Sequence, residues 1–310
     1  MHVHYNINEL PGFRNGVVTI GTFDGVHTGH MQVIAQLKEE AKAISGETII
    51  VTFHPHPRKI VSAKNIFILN TLEEKIELLQ AKGIDHLIVV PFDETFAQQT
   101  PEEYIEQFLF QKIHPHTVII GYDHKFGKDR KGDYHLLEAY GEKLNFRVKE
   151  IPEHLLHKII VSSTKIREAL LAADLETANE YLGYNYFFEG KVVDGNKLGR
   201  TLGYPTANLE IQNAEKLVPG NGIYAVETAI INRPSSIVNK GMMSIGVRPT
   251  IGESKRVIEV NIFDFDEDIY GKILRVYVKH FLREEKKFDG LEELKEQIAK
   301  DKKECLRLLK

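Results

Sequence analysis

Val17-Val18-Thr19-Ile20 runs directly into Gly21-Thr22-Phe23-Asp24-Gly25-Val26-His27-Thr28-Gly29-His30, and that stretch into Met31-Gln32-Val33-Ile34-Ala35-Gln36-Leu37. The opening run reads as a buried strand and the closing one as an amphipathic helix. Between them a glycine-rich turn carries the chain from strand to helix, with two histidines three residues apart at the helix mouth. Glycine lets the backbone approach a ligand closely. A helix N-terminus offers unpaired N–H groups at the positive end of its dipole, an arrangement that takes an anion such as phosphate. Histidine donors beside it add the means to stabilise charge developing on that phosphate.

Outward from this turn, the first half alternates strand and helix. Strands are expected at Val17–Ile20, Thr48–Phe53, His86–Val90, Val118–Gly121 and Phe146–Glu150. Thr71 with Glu74 forms a capping box, and Thr100, Pro101 and Glu103 mark another helix start. This alternation predicts a Rossmann-like α/β domain, a parallel sheet with helices on both faces, whose ligands bind beyond the carboxyl ends of the strands. Ser163 is expected to cap a helix over Thr164–Leu171, and Asp174 another to Leu182. After Gly183 the pattern changes to strands joined by Gly, Pro and Asn turns, at Tyr186–Val193, Tyr224–Ile231, Met242–Gly246, Val257–Ile262 and Leu274–Lys279. That predicts an antiparallel β-barrel, closed by a C-terminal helix capped by Asp289 and Glu292. Leu291, Leu294, Ile298, Cys305 and Leu309 recur at helical spacing on its core face. The expected domains are residues 1–183 and 184–310.

The chain has 310 residues, enough for two cores. A net charge of −4 argues against general nucleic-acid binding. A single cysteine, Cys305, excludes an intramolecular disulfide framework and a Cys-rich zinc site. No signal peptide or membrane-length apolar run is visible, so a soluble, cytoplasmic protein acting on small molecules is expected. Oligomeric state is not legible from composition.

His27-Thr28-Gly29-His30 resembles the H-x-G-H element of nucleotidylyltransferases. Taken in order with Thr52-Phe53-His54-Pro55-His56-Pro57, Gly121-Tyr122-Asp123-His124-Lys125-Phe126-Gly127 and Ser162-Ser163-Thr164-Lys165-Ile166-Arg167, it looks like the FMN adenylyltransferase module of bacterial bifunctional riboflavin kinase/FMN adenylyltransferases. In the second half, Gly190-Lys191-Val192-Val193, Gly199-Arg200-Thr201-Leu202-Gly203-Tyr204-Pro205-Thr206-Ala207-Asn208, Gly222–Val226, Gly246–Thr250 and Glu259 resemble the riboflavin kinase module of the same family.

The resemblance implies that His27 and His30 hold ATP phosphates and stabilise the transition state, with Gly21, Thr22, Phe23, Asp24, Gly29 and Asp123 at the nucleotide. Ser163, Thr164 and Arg167 would grip the pyrophosphate side; simple capping explains the hydroxyls but not the guanidinium one turn on. An i, i+3 histidine pair also suits a metal, yet no H-E-x-x-H accompanies it. Phe53, Pro55 and Pro57 would line the flavin. His124 stands where the family has an aromatic residue. In the kinase module Gly190, Lys197, Gly199, Arg200 and Gly203 would contact ATP, Lys197 to Gly203 as a flap with Gly195. Thr206 and Asn208 alternate on an extended segment, so both oxygens can ligate one Mg²⁺. Glu259 would be the general base for the riboflavin 5′-hydroxyl; an exposed strand glutamate is the plainer reading. Asn261 stands where the family often has His.

The expected activities are phosphorylation of riboflavin to FMN by Mg²⁺-ATP, and adenylylation of FMN by ATP to FAD with release of pyrophosphate. Two alternatives stay open: a nucleotidylyltransferase with another phosphorylated acceptor, and a flavin-binding regulator without turnover. A class I aminoacyl-tRNA synthetase, which shares H-x-G-H, would need a K-M-S-K-S-like loop and a basic surface, and neither is present.

Overall fold

The computed structural model describes residues 1–62, 66–151, 161–195, 198–231, 238–249 and 254–310. They divide into two compact units, Met1–Ser163 and Thr164–Lys310.

The first unit is a six-stranded parallel sheet formed by β1 (His2–His4), β2 (Val17–Ile20), β3 (Thr48–His54), β4 (His86–Pro91), β5 (Thr117–Gly121) and β6 (Arg147–Ile151). Their order is β1-β4-β3-β2-β5-β6. The central strands are apolar at successive positions because both faces are covered. Val18, Ile20, Ile49 and Val51 face a core with Tyr104, Ile105, Phe108 and Leu137. Val17, Ile50, Leu87 and Ile119 face another with Ile34 and Leu37 of the helix Thr28–Ala43 and Leu79 of the helix Leu72–Ala81. Both expected capping boxes form, Thr71 with Glu74 and Thr100 with Glu103. β3 and β4 are laid down on one side of β2 and β5 on the other. The order thus reverses at β2, and the chain leaves β2 and β5 into the glycine-rich turn and the Gly121–Gly127 loop beside that switch point.

The second unit holds a closed antiparallel barrel of β7 (Phe187–Val193), β8 (Ala207–Glu210), β9 (Gly222–Ile230), β10 (Asn239–Pro249), β11 (Ser254–Ile262) and β12 (Ile273–Arg283), in the order β10-β11-β8-β7-β12-β9. Tyr224, Met243, Val260, Val276 and Phe188 are buried at alternating positions and fill its interior. Cys305 and Leu309 of the helix Leu291–Leu308 and its C-cap pack on Ala225 outside the barrel wall. Burial pushes the Cys305 thiol up to about 12, so it is an inert core residue.

Three local expectations give way to tertiary structure. The last helix starts after Gly290, with no side-chain cap, rather than at Asp289; Glu293 accepts the Asp289 N–H instead. Leu291 is 58% exposed, because it precedes the turn where the helix reaches the barrel. Ser163 is the first residue of its helix, and its hydroxyl donates to the Asp24 carbonyl at 2.9 Å instead of capping. Between the helix start at Ser163 and Gly183, two helices belong with the barrel. Gly220 donates to the Leu170 carbonyl, and Asn179 bridges the Val278 carbonyl and the Tyr186 N–H. Gly183 ends the second of them in the left-handed conformation.

Candidate active sites

The turn after β2 is held in an unusual backbone. Phe23 has φ +47° and Val26 +38°, beside Gly25 at +89°. Positive φ at a β-branched residue costs on the order of 1–3 kcal/mol and persists where surroundings over-determine it, typically at ligand clamps. The surroundings here are explicit. Phe23 is buried in the core beneath the turn, with its ring 4.9 Å from that of His30. A Cβ at Gly21 would press on the Phe23 ring at 3.2 Å, and one at Gly29 on the His27 ring at 3.1 Å. Asp24 is also buried, and its carboxylate accepts the N–H groups of Leu69 and Asn70. The side chains of Phe23 and Asp24 therefore build the loop from below.

His27 is the N-cap of the helix Thr28–Ala43. Its Nδ1 accepts the His30 N–H at 3.4 Å, and His30 Nδ1 accepts the His27 N–H at 3.2 Å. This is a capping box made by two imidazoles. Each ring, when neutral, thus carries its proton on Nε2 and offers that N–H away from the helix end. Burial, His27 and Lys75 hold His30 well below the usual histidine range. It is therefore a neutral donor at physiological pH, suited to a developing phosphate charge.

One residue of this site gives no local sequence signal. Lys75, in Glu73-Glu74-Lys75-Ile76-Glu77, looks like a solvated helix position. It is 7% exposed, and its ammonium donates to the Thr22 carbonyl at 2.7 Å and to Thr52 Oγ1 at 3.3 Å. Thr52 Oγ1 donates to the same Thr22 carbonyl at 3.0 Å.

Phe53, after Thr52, is half-buried in an aromatic cluster with Phe92 and Phe96, at 5.4 and 5.7 Å. Pro55 and Pro57 are half-buried beside it, and Pro57 starts the helix Pro57–Ser62. In the loop after β5, Asp123 is exposed. His124 tilts over Phe126 at 6.0 Å and is pushed down to about 4, chiefly by burial. It presents a neutral aromatic face where an aromatic residue was expected. Thr164 is exposed and Arg167 half-buried, on the helix that Ser163 begins.

In the barrel, Asn208 of β8 is the direct cross-strand partner of Glu259 of β11, and Ser244 of β10 that of Glu259 on the other side. Glu259 alternates with the buried Ile258 and Val260, so it faces outward with Asn208. Asn261 is buried and donates from Nδ2 to the Pro205 carbonyl at 2.7 Å, fixing the segment that carries Thr206. A Cβ at Gly195 would collide with the Asn208 amide, and one at Gly199 with the Tyr204 carbonyl while coming 3.3 Å from Thr206 Oγ1. Two flap glycines thus bring backbone onto the two expected cation ligands. Thr206 and Asn208 supply neutral oxygens beside that backbone, a donor set that suits a hard cation sharing its shell with phosphate and water. Arg200 is exposed on the single helical turn Leu198–Thr201, which Gly203 ends at φ +83°. Gly190 is buried, and a Cβ there would lie 3.0 Å from Leu209 Cβ, so a glycine allows close packing of β7 on β8. Lys197 and Thr250 lie outside the described residues.

Comparison with known proteins agrees with both halves. Residues 11–165 match the family model for FAD synthetase and residues 182–309 that for riboflavin kinase. A bifunctional riboflavin kinase/FMN adenylyltransferase of Haemophilus influenzae is 39% identical over 96% of this chain and 94% of its own. One from Bacillus subtilis is 36% identical over 99% and 96%. A crystal structure described as a macrolide-efflux protein from Streptococcus pneumoniae superposes with a TM-score of 0.86 and 28% identity, covering 97% of each chain. No helix among the described residues is long and apolar enough to cross a membrane. With both modules matched in order and relatives aligned over nearly its whole length, the chain belongs to the bifunctional riboflavin kinase/FMN adenylyltransferase family.

Proposed function

We propose that this chain makes FAD in two steps at two sites. In the barrel, Glu259 takes the proton of the riboflavin 5′-hydroxyl as its oxygen attacks the γ-phosphorus of ATP; the bond to the bridging oxygen breaks and ADP leaves with FMN formed. Thr206 and Asn208 would hold Mg²⁺, which when bound neutralises ATP phosphate charge. Gly199, Arg200 and Gly203 would cover the phosphates, on the segment where the sequence also carries Lys197.

In the parallel-sheet domain an FMN phosphate oxygen attacks the α-phosphorus of a second ATP, and pyrophosphate leaves. His27 and His30 donate through Nε2 to the phosphate oxygens at the helix mouth, Ser163, Thr164 and Arg167 grip the leaving side, and Asp123 contacts the nucleotide. Phe53, Pro55 and Pro57 line the flavin. The work is positioning and charge stabilisation with no covalent enzyme intermediate. The functional boundary is placed at Gly183, residues 1–183 serving adenylylation and 184–310 phosphorylation.

The observation that carries this reading is the reciprocal His27–His30 capping box at the sheet's switch point, which uses both Nδ1 atoms as acceptors and so sets the proton of each neutral ring on Nε2. The aromatic cluster at Phe53 favours a flavin acceptor over a small polar one. The test is to incubate the chain with riboflavin and Mg²⁺-ATP and resolve the flavins over time. FMN rising first and FAD following, with FAD also formed from supplied FMN, is the expected result. Failure to adenylylate FMN, with another phosphorylated acceptor consumed, overturns it.

A further inference from the structure

Lys75 is a cation buried where the hydrophobic effect alone would place an apolar residue. Taking an ammonium out of water is expensive unless its donors are used. Two of its three N–H groups are used, and their acceptors are informative. Thr22 belongs to the phosphate loop after β2; Thr52 lies near the end of β3, directly before Phe53 and two residues before that strand runs into the Pro55–Pro57 flavin loop. The two loops leave adjacent parallel strands, and the Gly21 N–H still bonds the Val51 carbonyl. Beyond that point the triangle of Thr22 O, Thr52 Oγ1 and Lys75 Nζ joins them.

We propose that Lys75 is a positioning residue of the adenylylation site, a single ammonium that clamps the phosphate loop to the root of the flavin loop and so fixes how the two substrates meet. The inference rests on reading this site as the one that joins FMN to ATP. Charge adds a second effect. The groups facing His30 are the His27 ring, the Phe23 ring and the Lys75 ammonium; Asp24 faces Lys75. Burial brings Lys75 down to about 8, so it is still largely cationic at neutral pH, and its charge helps to keep His30 neutral.

The test compares Lys75→Met, Thr52→Val and the double variant in the full chain, following FAD from FMN and Mg²⁺-ATP, riboflavin phosphorylation, and thermal unfolding. Lys75→Met is expected to lower kcat for FAD formation about 10–100-fold, the scale of a misplaced reacting pair, with a smaller change in KM for ATP. Thr52→Val should lower it several-fold, and the double variant should lose less than the product of the two. The acid limb of the FAD-forming pH profile should also move to higher pH in Lys75→Met, because a cation beside His30 is gone; a lysine that only supported folding would leave kcat near normal in the folded variant. Riboflavin phosphorylation should be unchanged throughout. Folded Lys75→Met with near-normal kcat overturns the proposal. If Lys75→Met does not fold, a Thr52→Val chain at the parent rate overturns it, and a slowed one supports it. If the parent chain makes no FAD at all, the reading of the site has failed rather than this inference alone.

Discussion

His27 and His30 hold each other in place: their rings stack with centroids 3.7 Å apart and 19° between planes, each accepting the other's backbone N–H. Removing one ring therefore removes a donor and loosens its partner. His30→Ala is expected to abolish FAD formation, losing about 3–4 kcal/mol of transition-state stabilisation. FMN formation from riboflavin should persist, since the kinase residues lie in the other unit. An equal fall of both activities in folded protein would contradict the two-site assignment.

The same ring gives a pH signature. His30 is held below its ordinary value of 6.5 in the folded chain. The unfolded chain therefore binds a proton there first as pH falls. Stability is complete above about pH 6.5 and declines as pH drops toward the folded-state value. His124, brought down to about 4 chiefly by burial, acts in the same direction. His30→Asn keeps an acceptor for the His27 N–H without a titrating ring. Its melting temperature should fall less steeply between about pH 7 and pH 5 than that of the parent.

Glu259→Gln keeps the shape of the side chain and cannot take a proton. It should lower riboflavin phosphorylation by a factor of about 10²–10⁴ while Mg²⁺-ATP still binds. Thr206→Ala should instead weaken Mg²⁺-dependent ATP binding. Comparing both half-reactions with nucleotide titrations separates the two. Near-normal phosphorylation by Glu259→Gln would return this residue to a surface role.

Gly195 has no room for a methyl group beside the Asn208 amide. Gly195→Ala should displace the Asn208 amide from its place beside the flap and raise the ATP KM of the kinase reaction at least several-fold, leaving adenylylation of supplied FMN unchanged. Equal effects on both reactions would sink this account.

Leu170, Leu175, Ala178 and Leu182 are buried on the two helices before Gly183, and Asn179 bonds both the Val278 carbonyl and the Tyr186 N–H. A kinase fragment beginning at residue 162 should be more stable than one beginning at residue 184, by about 3 kcal/mol or more. Equal denaturation midpoints would show that these helices contribute nothing to the barrel.

Strands with continuous apolar runs, such as Val17–Ile20 and Thr48–His54, were legible because burial on both faces leaves a composition that nothing else imitates. β1 was not, because His-Val-His is too short and polar to show alternation, while β8 was legible only as the extended segment after Pro205 that carries Thr206 and Asn208. The H-x-G-H and P-T-A-N segments announce themselves through spacing. What spacing does not reveal is the structural work of a motif side chain, such as the burial of Phe23 and Asp24 beneath the loop. Lys75 lay beyond local reading altogether, because its burial is decided by Thr22 and Thr52, far away in sequence. Ser163 and Asp289 obey the same limit, since both are good caps in isolation.

The barrel is closed, so each of its strands already has a neighbour on either side. The open sheet of the first unit ends instead in two rails. One is β1, three residues long with His2 and His4; the other is β6, with Arg147, Lys149 and Glu150. Among the described strands, a stray polypeptide seeking main-chain partners could begin only there. It would meet a strand too brief to template a long pairing, or one studded with charge, both recognised deterrents to edge-to-edge aggregation. A chain assembled from two dissimilar sheets thus leaves little purchase for the self-association that exposed β-structure invites.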